Sequence, residues 1–167
     1  MSSKRIIEQV KVQRVTVSTS ITFDTVLAKL YHEIGGSEPV SVQRLIQGNE
    51  ANFEKKITDA VGPSDFMLFQ QFNHGAWLKL CTSTDRKIVQ IILGNPLIAK
   101  TIIPHNLRAG LHIPPRMILI ENEEKDGTQI VYDLPSSLVA AEYESAQSAA
   151  ALALDKKFEA LVDRISK

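Results

Sequence analysis

His74 is the side chain best suited, by type and context, to proton transfer. It lies between two apolar runs, Asp65–Asn73 and Ala76–Thr82, that are typical of strands. The two residues separating them predict a tight antiparallel hairpin with the imidazole at its tip. Held partly desolvated beside Trp77, this imidazole would titrate near neutrality and act as a general acid or base. The alternative interpretation is an exposed turn histidine without a catalytic role.

Lys79 is the second candidate catalytic group, because it interrupts the apolar run of the predicted second strand. Period-two alternation would place it on one face with Trp77 and Cys81. If that face encloses a cavity instead of meeting solvent, His74, Trp77 and Lys79 form one cluster. Burial would then lower the pKa of the lysine.

His105 is a further candidate proton carrier, and with His74 and His112 it brings three imidazoles, enough in number for a metal site. The separation of His105 and His112 crosses a proline-bounded turn, which does not place both on one helical face. No acidic residue stands close by in a recognised ligand pattern. We therefore predict neither a metal site nor a cofactor.

Asn95 and Arg116 are candidate ligand contacts. Asn95, in Gly94-Asn95-Pro96, either caps the helix that follows or faces a ligand. Arg116 shares a strand face with Ile118 and Ile120, so it lies at the margin of the sheet or awaits a carboxylate or other anionic ligand.

An apolar pocket is the predicted binding site. We expect strand residues to line it and the turn around Asn95 and the His105 segment to close it. The expected lining residues are Phe69, Trp77, Ile91 and Tyr132.

The overall charge excludes some partners. Lys plus Arg and Asp plus Glu each number 19, and the basic residues are spread singly, so we predict no binding to nucleic acid. No apolar stretch approaches the ~20 residues that span a bilayer, which predicts no membrane partner. The single cysteine, Cys81, is expected to be a small buried thiol and is compatible with a reducing compartment. These observations favour a cytosolic protein.

Periodicity defines the elements that must position these residues. Each predicted element pairs an apolar pattern with a boundary signal such as a cap, a glycine or a proline. Besides the hairpin, the predicted elements are a strand within Glu8–Ser20, a helix from the Thr22 cap to Ile34, helical patterns from Val42 and from Phe53 broken at Gly48-Asn49, a strand Lys87–Leu93, a short helix after Pro96, strands Met117–Glu121 and Thr128–Asp133 joined through Asp126-Gly127, and a C-terminal helix over about 140–166.

The C-terminal helix carries its apolar residues in one stripe and must pack on something. The stripe is Leu154, Phe158, Leu161, Val162 and Ile165. Helices followed by a meander of strands predict the α+β class, with a mainly antiparallel sheet of about five or six strands covered on one face. We expect one domain over residues 1–167.

Three segments of the chain resemble the family known as domain of unknown function 302. They are Leu93-Gly94-Asn95-Pro96, the run Ala109-Gly110-Leu111-His112-Ile113-Pro114, and Tyr132-Asp133-Leu134-Pro135. The resemblance covers about residues 65–139 and implies the same α+β fold. The His-Gly-x-Trp sequence beginning at His74 resembles eukaryotic, fungal-like members. Many bacterial relatives have cysteine where this chain has Pro115, so a thiol role does not transfer.

Three functions follow from these patterns. The first is a homodimeric module that binds a small apolar or carbonyl-containing metabolite. The second is a cofactor-independent acid/base enzyme of isomerase, cyclase or lyase type, with His74 or His105 as proton carrier and Lys79 or Arg116 as electrostatic partner. The third is a structural or interaction dimer without a ligand, in which the C-terminal helix packs across two chains.

Overall fold

The computed structural model describes residues 3–47, 52–139 and 145–167, which form a five-stranded sheet with helices. The strands are β1 Arg14–Thr19, β2 Met67–Asn73, β3 Ile88–Gly94, β4 Arg116–Glu121 and β5 Thr128–Asp133. The helices are α1 Phe23–Glu33, α2 Val42–Ile46, α3 Phe53–Ala60, α4 His74–Cys81, α5 Pro96–Ala99, α6 Pro135–Val139 and α7 Ser145–Ser166, with 3-10 turns at Ile103–His105 and Leu107–Leu111. The predicted α+β class is confirmed.

The strands lie in the order β1-β5-β4-β3-β2, and every neighbouring pair is antiparallel. The first strand of the chain therefore pairs with the last, and β2 forms the opposite edge. Between Leu68 and Gln70 the register of β2 against β3 shifts, which makes Phe69 a bulge residue.

Helices α1 and α7 pack against one face of the sheet, and the hydrophobic core lies between these helices and the sheet. Alternation along β3, β4 and β5 explains this arrangement, because every second side chain of these strands points to that face and is buried. In β4 the buried residues Met117 and Leu119 alternate with Arg116, Ile118 and Ile120 on the outer face, where the two isoleucines are half-buried. The expectation of a sheet covered on one face is confirmed.

Helix α7 carries the predicted apolar stripe, and all five of its residues are buried. The Phe158 ring is fully buried, with its centroid 6.0 Å from that of Phe66 and 5.0 Å from that of Tyr132. In this structure α7 thus packs on the sheet of its own chain. No helix among the described residues is long and apolar enough to cross a membrane.

The predicted hairpin over residues 65–82 is wrong in its second half, because His74–Cys81 is a helix. Its N-cap is Asn73, whose side chain accepts the Ala76 N–H at 2.9 Å. Strand β2 pairs instead with β3. Glycine at position 75 lets α4 lie close to the chain just before β3, because a Cβ there would be 2.5 Å from the carbonyl oxygen of Arg86. Cys81, expected to be buried, is exposed at the end of α4.

The turn between β4 and β5 also differs from its prediction. An Asp-Gly pair in such a turn predicts that one of its two residues has positive φ. The residue with positive φ is instead Lys125, at 60°. Gly127 is required for space, because a Cβ there would lie 2.5 Å from the carbonyl oxygen of Thr19 in β1.

Helix α1 begins after Thr22 as predicted, although the hydroxyl of Thr22 bonds to that of Thr25 and does not cap the helix. Gly35 and Gly36 follow its end with positive φ. Helices α2 and α3 confirm the next two helical patterns. The predicted break at Gly48-Asn49 lies outside the described residues.

Candidate functional site

An apolar cleft of about 240 Å³ lies where the β3–α5 turn, the β2 bulge and the turn before β4 meet. Apolar side chains and turn residues contribute its wall, and α2 and α7 add one residue each. The lining residues are Val42, Phe66, Phe69, Gly94, Asn95, Pro96, Ile98, Ala99, Ile103, Ile113, Pro114, Pro115 and Leu154. None of these described residues is titratable, so the cleft can hold an apolar group but supplies no acid or base.

The Gly94-Asn95-Pro96 turn forms one edge of the cleft. The Asn95 side-chain oxygen Oδ1 accepts the Leu97 N–H at 2.8 Å and so caps α5, while its side-chain nitrogen Nδ2 donates to the backbone oxygen of Asp65 at 2.9 Å. Pro96 suits the first helical turn because its ring presets φ and its missing N–H would have had no helical partner. Asn95 thus borders the cleft with both ends of its side chain already bonded.

Phe69 and Pro114 form the part of the wall next to this turn. Both lie against Gly94, where an added Cβ would be 3.0 Å from the Phe69 ring and 3.1 Å from the Pro114 Cβ. The bulge in β2 aims Phe69 to this position. The Ile113–Pro114 peptide bond is cis, and the carbonyl oxygen of Pro115 accepts the Leu93 N–H at 3.2 Å. Glycine at position 94 is therefore what lets the ring and the proline approach each other.

A second cavity, of about 370 Å³, adjoins the apolar cleft and is more polar. The two share Phe69 and the Ile113–Pro115 turn. The second cavity adds the side chains of Gln70, His112, Arg116 and Asp133. It therefore places charged groups beside an apolar cleft.

The family model for a domain of unknown function, DUF302, matches residues 43–165, which is more than half of the sequence. The chain belongs to the DUF302 family. The match extends on both sides of residues 65–139, which the resemblance covers.

This DUF302 fold is similar to that in the crystal structure of an uncharacterized conserved protein DUF302 from Bacillus stearothermophilus. The two share 18% sequence identity with a TM-score of 0.63, over 91% of this chain and 97% of the other. At this identity the likeness concerns the fold. None of the curated proteins matches the sequence.

In this DUF302 protein, His74 and Trp77 come together as predicted, but on the outside of the molecule. The Trp77 indole N–H donates to His74 Nδ1 at 3.2 Å, and the imidazole stacks on Phe72 with ring centroids 6.2 Å apart. Trp77 is 52% exposed. These rings form a surface aromatic cluster and do not line the apolar cleft.

Lys79 lies on α4 five positions after His74, so the two side chains leave the helix from different faces. Its ammonium group is exposed and bonds to Asp85 Oδ1 at 2.9 Å. The Asp85 carboxylate raises the pKa of Lys79, opposite to the lowering that a buried cluster would produce. The structure therefore does not bring Lys79 into a cavity with His74.

His105 is exposed in the 3-10 turn Ile103–His105, and the residue of this turn that lines the cleft is Ile103. His112 lines the second cavity. Across residues 3–47, 52–139 and 145–167, no three His, Cys, Asp or Glu residues are grouped as a metal site would need.

Tyr132 and Ile91 lie in the hydrophobic core and not in the cleft. Tyr132 is 4% exposed, on the sheet face covered by α7. Burial raises the pKa of its hydroxyl to about 12, helped by the negative charges of Glu159, Asp163 and Asp155. Tyr132 thus stabilises the fold in its neutral form.

Tyr132 predicts a loss of stability at alkaline pH. Below pH 10 the hydroxyl is neutral in both the folded and the unfolded chain. Between pH 10 and about 12 the hydroxyl ionises only in the unfolded chain. This difference lowers the free energy of unfolding by roughly 2 kcal/mol. Urea unfolding of Tyr132→Phe at several pH values should lack this part of the decline. Tyr31→Phe should retain the contribution of Tyr132 and lose only that of Tyr31, whose pKa is also raised by burial. Equal declines in Tyr132→Phe and the unmodified protein would contradict the assignment.

The sequence analysis missed most of the cleft residues, including Val42, Ile98, Ile103 and Leu154. They carry no distinctive chemistry and stand far apart in the chain. The available signal was the pair of turns in the resembling segments, since Gly94-Asn95-Pro96 and Ile113-Pro114-Pro115 together supply six lining residues of this DUF302 protein.

Proposed function

We propose that this protein binds a small apolar or carbonyl-containing metabolite in the apolar cleft. The observation that carries the proposal is the cleft itself, a concave surface of about 240 Å³ with an apolar lining. Ligand sites are concave and mostly apolar, and those for drug-sized molecules measure roughly 300–1,000 Å³. A cleft below that range suits a small ligand.

The energetic argument rests on the wall of the cleft. Ile98, Ala99 and Ile103 are half-buried, so they keep apolar surface in contact with water. A ligand that covers this surface gains about 25 cal/mol for each Å² removed from water. Because the side-chain amide of Asn95 is already hydrogen-bonded within the turn, the affinity for a ligand should depend on the ligand's shape and on the apolar area that it covers.

A homologous series of alcohols tests this proposal. We expect isothermal titration calorimetry with hexanol, heptanol and octanol to show affinity rising about fourfold per added methylene, which corresponds to about 0.8 kcal/mol. Longer chains should gain nothing once the cleft is full. Affinities that do not change with chain length, or no binding at all, would refute the proposal.

The matched control is His74→Ala on α4. Its ring lies in the surface aromatic cluster, so the variant should bind each alcohol as the unmodified protein does. A loss of binding in His74→Ala would instead favour the acid/base enzyme, for which His74, Lys79 and His105 stay the hypothetical catalytic residues. The homodimer, with or without a ligand, also stays a prediction.

A further inference from the structure

We infer that the ligand is a monocarboxylate, with its apolar part in the cleft and its carboxylate on Arg116 in the second cavity. This inference rests on the proposed binding function and names its ligand class. The two cavities share Phe69, Ile113, Pro114 and Pro115, so the second cavity lies directly beside the cleft.

Arg116 belongs to a row of side chains that crosses the outer face of the sheet. The strand registers pair Arg14 with Asp133, Arg116 with Ile92, and Ile92 with Gln70. The register of β4 against β5 pairs Met117 with Tyr132, and its continuation by one residue brings Arg116 beside Asp133. The row therefore contains two arginines and one carboxylate.

Asp133 is already engaged by Arg14. Arg14 Nε donates to Oδ1 at 2.7 Å and Nη2 donates to Oδ2 at 3.1 Å, a two-pronged pair. Arg116 makes no ion pair or side-chain hydrogen bond within the described ranges. The row thus keeps one uncompensated positive charge at the wall of the second cavity.

The chemistry of this position favours a carboxylate. A guanidinium group presents two parallel N–H donors that match the two oxygens of a carboxylate. The charges of Arg14, Asp133 and Arg116 alternate in sign along the row. A ligand carboxylate beside Arg116 would continue this alternation with one more negative charge. A phosphate dianion would bring two negative charges to a single uncompensated cation with Asp133 close by, so it fits less well.

Octanoate and octanol, compared by calorimetry at low salt and neutral pH, test the inference. We expect octanoate to bind about fivefold more tightly than octanol, the upper range for an exposed ion pair. Arg116→Gln should remove this difference and leave the affinity for octanol unchanged. Arg116→Lys should keep part of it, because the charge remains while the two-pronged geometry is lost.

Asp133→Asn is the opposing variant. It leaves Arg14 without its carboxylate and removes the negative charge beside Arg116, so octanoate binding should strengthen while octanol binding stays the same. Equal affinities for octanoate and octanol, or an Arg116→Gln variant that still prefers octanoate, would overturn the inference while the binding function stands. Tighter binding of octyl phosphate than of octanoate would overturn the carboxylate class. Failure of both octanol and octanoate to bind would refute the binding function itself.

Discussion

Ala99→Trp is expected to weaken octanol binding about fiftyfold or more. Ala99 lines the apolar cleft from helix α5, and an indole at this position would occupy space that the ligand needs. Displacing three methylene groups from the cleft costs about 2.4 kcal/mol, which corresponds to that factor. Calorimetric titration of the purified variant measures the effect directly.

Ala160→Trp is the matched control, because Ala160 lies on the exposed side of α7, away from the cleft. It adds the same side chain and should leave octanol binding unchanged. Circular dichroism during thermal unfolding checks that both variants fold. If Ala99→Trp folds and still binds octanol normally, the ligand occupies another part of the molecule.

Phe158→Ala is expected to lower the free energy of unfolding by about 3 to 5 kcal/mol. The Phe158 ring is fully buried between α7 and the sheet, in contact with Phe66 and Tyr132. Its removal loses the transfer free energy of the ring and leaves a cavity. Such a loss is a large share of the roughly 5 to 15 kcal/mol that stabilises a typical domain. Urea unfolding measures it.

Leu152→Ala provides the comparison on the same helix, since Leu152 is 53% exposed. Its cost should stay within about 0.5 kcal/mol, as for most surface substitutions. Equal costs for Leu152→Ala and Phe158→Ala would mean that α7 does not pack on the sheet as described.

Much of the fold could be predicted from the sequence, wherever one periodicity dominated. The stripe of α7 repeats at helical spacing over several turns, and β4 alternates strictly between buried and outer residues. In both cases the spacing of apolar residues that suits the local helix or strand is also the spacing that buries those residues in the core. Agreement between the two levels makes such segments predictable.

Helix α4 shows where this reasoning failed. Ala76–Thr82 is a short apolar run, and short runs fit a strand as well as a buried helix. The polar Lys79 between two leucines imitated strand alternation. The deciding signal is Asn73, a preferred N-cap residue three positions before Ala76.

The site could be predicted only in part. The two proline-containing turns in the resembling segments do border the cleft. Their meeting in space depends on the bulge at Phe69 and on the pairing of β3 with both β2 and β4, and neither is encoded by any one segment. The histidines drew attention through their chemistry, which says nothing about which cavity they face.

The pairing of β1 with β5 has a consequence for biosynthesis. Arg14 and Asp133 are 119 residues apart, so on the ribosome β1 emerges on the order of ten seconds before its partner strand exists. During that interval Val15 and Val17 have no neighbouring strand against which to be buried. A nascent chain carrying an unpaired, β-branched segment is a natural substrate for chaperones and a potential start of aggregation. Translation speed between these two strands should therefore influence the yield of folded protein.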